Sequence, residues 1–117
     1  MTQTLLISWP PSVNNIWRAV NGRNILSRRY RSWRESAAKE LLLVQKPKPV
    51  NGPVRILIEL SPPHRHRFDV DNKAKVLLDL LVRCAIIEAD DNSTVKELTL
   101  RISQGFIGAR VTVEAAP

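Results

Sequence analysis

The chain has 117 residues, the length of a single domain over 1–117, and its 44% hydrophobic and 25% charged residues exclude a wholly disordered polypeptide. Cys84 is the only cysteine, which excludes an internal disulfide and a thiolate zinc cage, and no apolar run is long enough to span a bilayer. Eighteen Lys and Arg against eleven Asp and Glu give a net charge of +7, an excess that favours a polyanionic partner.

In chain order, Leu5 to Trp9 is a short apolar run stopped by Pro10-Pro11, and it predicts a strand. The stretch MTQTLLISWPPS has no basic segment at its start, so it does not read as a signal peptide, and a reducing cytoplasm is the expected address. Pro10 to Asn24 is rich in Pro, Ser and Asn and predicts a loop, with a turn at Asn21-Gly22. Ser27 is placed to cap a helix in which Tyr30, Trp33, Ala37, Leu41 and Val44 recur at steps of three and four, running to about Gln45. Pro47 and Pro49 end it, since proline lacks the N–H that a helix interior needs.

Val54, Ile56, Ile58 and Leu60 alternate with Arg55, Leu57 and Glu59, the period of a strand with one buried face. His64 to Asp71 is polar and reads as extended. A second, well-buried helix is predicted over about 72–85, with Cys84 as a small core residue. Leu98, Leu100 and Ile102, then Ala109, Val111 and Val113, alternate with polar residues and predict a hairpin turning at Gln104-Gly105. The order β-α-β-α-β-β predicts an α+β domain, one mixed sheet covered by two helices.

Charge is unevenly distributed. Residues 18–48 hold nine basic residues and two acids, whereas residues 69–91 hold six acids and three basic residues. Asp69 and Asp71, two apart in an extended segment, project to one side. Two unit charges about 4 Å apart repel by about 4 kcal/mol at an effective dielectric near 20, so such a pair calls for a cation or a shared proton. Asp90 and Asp91 form a second pair. A helix of about 14 residues spans about 21 Å, so the two pairs converge only if the chain returns after Ala85. Three or four converging carboxylates suit a hard ion such as Mg²⁺ or Mn²⁺.

Each of these residues also has a plain structural role. Asp71 can cap the second helix, Asp91-Asn92-Ser93 can be turn chemistry, and Lys75 can bridge Asp71 and Asp79 as an i,i+4 ladder. Lys73 is expected at the surface, available to DNA. His64-Arg65-His66-Arg67 reads better as a phosphate-facing arm than as a zinc site, and Arg28, Arg29, Arg31 and Arg34 gather around the start of the first helix as a backbone-contacting patch. Trp17 is a candidate for stacking on a base, while Trp9 and Trp33 fit core positions.

Trp9-Pro10-Pro11-Ser12-Val13-Asn14-Asn15, Arg67-Phe68-Asp69-Val70-Asp71-Asn72-Lys73-Ala74-Lys75 and Asp90-Asp91 together resemble the RusA family of Holliday-junction resolvases, in order and over nearly the whole chain. The most specific piece is Asp-x-Asp-Asn-x-x-Lys. The resemblance implies a homodimeric, Mg²⁺-dependent endonuclease, with Mn²⁺ as a substitute, that cuts four-way DNA junctions and often comes from a phage or prophage. It implies metal ligands at Asp69, Asp71 and one of the second pair, taken as Asp91 with Asp90 as the alternate, and a functional lysine at Lys75. Asn14, Asn15, Arg28, Arg29, Arg31, Arg65, Arg67 and Lys73 are the expected DNA contacts. The rival expectation is a non-catalytic DNA-binding module whose acids are caps and turns.

Overall fold

The computed structural model describes residues 2–11, 17–20 and 23–117, with 17–20 and 23–26 described by their backbone. Strand β1 (Thr2–Ile7) is followed by a short antiparallel pair, β2 (Trp17–Val20) and β3 (Arg23–Leu26). Helix α1 (Arg28–Lys39) continues into a π-helical stretch (Glu40–Gln45), and β4 (Val54–Ser61), α2 (Val70–Arg83), β5 (Val95–Ile102) and β6 (Gly108–Ala115) complete the chain. The fold is α+β with the expected order of main strands and helices, and the β2–β3 pair is an addition within the segment read as a loop. Its apolar residues fall largely in adjacent pairs, Ala19-Val20 and Ile25-Leu26, so no alternation marks it. The expected turn at Asn21-Gly22 lies outside the described residues.

The sheet order is β1-β6-β4-β5. α2 carries the chain from β4 to β5, and this crossover makes their pairing parallel. β6 then returns on the other side of β4, antiparallel to both β4 and β1. The expected hairpin of β5 with β6 is therefore corrected: β4 lies between them. Alternation specifies which face of a strand is buried, not which strand lies beside it. The chain crosses the end of β4 at Ser103–Ile107, where Ser103 N–H donates to Leu60 O at 2.9 Å and Ser61 Oγ donates to Phe106 O.

One face of the sheet packs on α1 and α2. Leu5, Ile7, Ile56, Ile58, Leu60, Val111 and Val113 meet Ala37, Leu41, Leu77, Leu80 and Leu81, all buried. Trp9 and Trp33 pack against this core half-buried, and Trp33 Nε1 donates to Ser8 O at 3.1 Å. Ser27 caps α1, accepting from Tyr30 N–H. Val44, expected on the inner stripe, is 66% exposed. The wider π turn, closed by Lys46 N–H to Leu41 O at 2.7 Å, rotates the last residues off the α-helical face. That rotation delivers Gln45 to β1: Leu6 N–H donates to Gln45 Oε1 at 2.8 Å and Gln45 Nε2 donates to Leu6 O at 2.6 Å. Lys48 N–H likewise donates to Gln3 Oε1 at 3.0 Å.

Gly108 opens β6 at φ +118°, and a Cβ there would lie 2.7 Å from the backbone oxygen of Ile7. Neither the backbone angle nor the neighbouring main chain can accommodate a side chain cheaply. Gly108→Ala is expected to destabilise the domain by about 2–3 kcal/mol, read as a lower midpoint in urea at unchanged slope.

Candidate functional site

The segment from Pro62 to Asp69 joins the buried strand β4 to the buried helix α2, and its packing fixes where the acidic loop points. His64 and His66 stack with ring centres 4.8 Å apart, and His66 N–H donates to His64 Nδ1 at 3.1 Å. Trp9 meets His64 and Phe68 edge-on at 5.8 and 5.0 Å, which ties this segment to the Trp-Pro-Pro stretch after β1. An edge-on aromatic pair adds about 0.5–1.5 kcal/mol beyond its buried area, so the cluster is a structural anchor.

Lys73 strengthens the same tie. It is 5% exposed; its Nζ donates to Pro10 O at 2.6 Å and lies 5.2 Å from the centre of the Trp9 ring. The expectation of a surface lysine available to DNA is corrected. Lys73 lies one helical turn from both Val70 and Leu77, on the inward stripe of α2, so the spacing carried the signal that residue type concealed. Burial and then the charge of Arg29 push its ammonium below the usual lysine range.

α2 begins two residues earlier than expected. Asp69 is the N-cap residue, extended, and its Oδ2 accepts from Asn72 Nδ2 at 3.0 Å. Asp71 stands exposed in the first turn. Both carboxylates sit where the helix dipole favours negative charge. Lys75, four residues after Asp71, is exposed, and the Asp71–Lys75–Asp79 ladder is not formed: the ion pairs among the described residues are Arg55–Glu97 and Arg110–Glu59.

The chain does return after α2. Ala85 takes a left-handed conformation at φ 58°, Ile86 N–H donates to Leu81 O, and Ile86 and Ile87 bury themselves in the core. The return brings Asp90 to Asp79. Burial, together with the hydrogen bond and charge of Asp90, pushes the Asp79 carboxyl up, against a partial offset from Lys75. Asp79 is a partner that the sequence reading assigned only to the lysine ladder. Eight residues of helix, about 12 Å, still separate Asp79 from Asp71. Asp91 Oδ1 accepts from both the N–H and the hydroxyl of Ser93, which hold its carboxyl below the usual range. Among the described residues no three His, Cys, Asp or Glu side chains gather as a metal-holding group. Asp69 and Asp71 thus share one end of α2, while Asp90 and Asp91 belong to the turn beyond its other end.

A cleft of about 1040 Å³ opens beside the first pair, lined in part by Trp9, Arg29, His66, Arg67, Asp69 and Lys73. Arg28, Arg31 and Arg65 are exposed. Asn14 and Asn15 lie outside the described residues, and the side chain of Trp17 is not described. The donor set suits Mg²⁺, which is held through one or two carboxylates plus substrate phosphates and waters. Asp69 and Asp71 supply two exposed hard oxygen donors, and Arg29 and Arg67 line the adjoining cleft with positive charge.

A family model described as endodeoxyribonuclease RusA matches residues 8–114. The crossover junction endodeoxyribonuclease RusA of Escherichia coli (strain K12) is 32% identical over 82 residues, 70% of this chain and 68% of that protein. The protein of the same description in Enterobacteria phage 82 is also 32% identical, and that of Shigella sonnei (strain Ss046) is 30% identical, each over the same shares of the two chains.

Proposed function

The chain belongs to the RusA endodeoxyribonuclease family, and we propose that it is a Mg²⁺-dependent nuclease, working as a homodimer in the cytoplasm, that resolves four-way DNA junctions by paired phosphodiester hydrolysis. The observation that carries the metal reading is the exposed Asp69–Asp71 pair at the start of α2, beside a cleft lined by Arg29 and Arg67. Asp69 and Asp71 are the carboxylates that would hold the ion. When bound, Mg²⁺ supplies Lewis acidity at phosphorus and makes water a stronger acid, and Mn²⁺ can substitute. Lys75, one turn from Asp71 and exposed, faces the phosphate and stabilises the charge that develops on it and on the leaving 3′ oxygen. Asp91 is the third carboxylate. It is exposed in the turn beyond the far end of α2, and its hydrogen bonds run to Ser93 within that turn. Asp90, beside Asp79, is the alternate.

Arg28, Arg29, Arg31, Arg65 and Arg67 contact the DNA backbone. With about five phosphates neutralised, junction affinity is expected to fall several hundredfold between about 50 and 200 mM salt. Arg67→Ala should lower the slope of log K against log salt by about one. A fluorescence-anisotropy titration at several salt concentrations reads both.

The test of the function is a synthetic four-way junction incubated with purified protein. Symmetric nicks with Mg²⁺, and none with EDTA, are expected. Binding without cutting in Mg²⁺ or Mn²⁺ would make the protein the non-catalytic module instead.

A further inference from the structure

The segment between β4 and α2 is more aromatic than phosphate contact requires. His64 is held edge-on against Trp9 at 5.8 Å and against Phe68 at 6.2 Å. His66 lies nearly parallel to His64, with 19° between the ring planes and centres 4.8 Å apart, and His66 N–H donates to His64 Nδ1. His64 is half-buried, His66 is exposed, and both line the cleft beside Asp69. The imidazole stack therefore starts within the packed segment and ends at the cleft. Trp9, Phe68 and Pro63 add further apolar wall, and at about 1040 Å³ the cleft has the size of a small-molecule pocket. Arg29 and Arg67 would suffice for a phosphate; stacked rings and apolar walls suit a flat, conjugated group.

We propose that the cleft holds one nucleobase, unstacked from the DNA beside the phosphodiester at Asp69, as the next layer on the His64–His66 stack. This rests on the junction reading above and names the part of the branch point that is recognised. Arg29 and Arg67 complement the charge of the phosphates that flank the unstacked nucleotide. The platform is rigid before DNA arrives. Trp9 braces His64, and Lys73 binds Pro10 O at 2.6 Å and lies over the Trp9 ring, so little side-chain freedom is lost on binding.

Such a pocket discriminates by structure rather than by base identity, because every base has a π-face. In an intact duplex each base is paired and stacked on both sides, and drawing one out costs about as much as one stacking contact returns. At a crossover the stack is already interrupted, so the cost is smaller and the contact yields net affinity. One base stacked on an aromatic side chain changes affinity about ten- to a hundredfold, enough to favour a branch point over the duplex arms that carry the same phosphates.

The test is a set of anisotropy titrations with Ca²⁺ in place of Mg²⁺. The parent chain and His66→Ala are compared on a four-way junction, on the matching duplex, and on junctions that lack, one at a time, each base beside the crossover. His66→Ala should bind the intact junction about tenfold more weakly and the duplex as the parent does. Removing the base that enters the cleft should abolish the difference, since the ring then has nothing to stack on. His66→Phe should restore parent binding, because a ring face is needed and not a nitrogen or a charge. A loss in His66→Ala that persists on every abasic junction, a loss shared with the duplex, or no loss at all overturns the pocket. Cleavage in Mg²⁺ separates this from the nuclease reading: nicked junctions without the His66 pattern remove the pocket and leave the nuclease, and the pattern without nicks does the reverse.

Discussion

Asp71→Asn is expected to cut a four-way junction at least a hundred- to a thousandfold more slowly than the parent chain while binding it as tightly or more tightly. The substitution keeps the size of the side chain but removes the negative charge on which a divalent ion depends. Asp71 is exposed in the first turn of α2, so the fold should be preserved. Binding should survive because the basic residues that contact the backbone are untouched and one repulsive charge is gone. Single-turnover cleavage on labelled junctions, paired with anisotropy in Ca²⁺, separates the two readouts. Asp69→Asn should behave alike despite losing its acceptor role toward Asn72, and Asp91→Asn should also lose cutting. Cutting by Asp71→Asn at the parent rate would dismantle the site.

The largest stability effect is expected at Lys73. Lys73→Ala strips Pro10 O of its donor, removes a cation from the face of Trp9 and leaves a void at the root of α2. An orphaned buried acceptor costs about 1–3 kcal/mol and a cation–π contact contributes about 0.5–2 kcal/mol. The sum, about 2–4 kcal/mol, should lower Tm by about 10 °C, measurable by circular dichroism. Lys73→Met, which keeps the stem, should lose less. A pH series supplies an independent sign. Because the folded chain holds this ammonium below the ordinary lysine value, it releases the proton first as pH rises. Between the displaced value and the ordinary one the unfolded chain carries more protons, so this residue's contribution to stability rises with pH. Lys73→Met should lack that rise.

These residues mark what can be read from the chain without coordinates. The alternation in Val54–Leu60 and in Ala109–Val113 located two central strands because both bury one whole face, and the wide apolar stripe of 74–82 located α2. Neighbour choice was not legible. β5 and β6 each carry the pattern of a hairpin arm, but β4, with apolar residues on both faces at Leu57 and Ile58, takes the place between them. The π stretch was hidden because Leu42, Leu43 and Val44 satisfy any helical period. At the site, the sequence reads Asp69 and Asp71 as neighbours in one extended segment, but α2 starts at Val70, so Asp69 is an extended N-cap and Asp71 a residue of the first helical turn. The meeting of Asp90 with Asp79 depends on a left-handed Ala85, a backbone state that alanine does not announce.

The amide of Gln45 has a consequence for crowding. A β-sheet with two bare margins can recruit neighbours on both sides and lengthen without limit into a fibre. Here a single glutamine, swung into place by one widened helical turn, stands in for the next strand at Leu6. Polymerisation is arrested on that flank at no expense to the core.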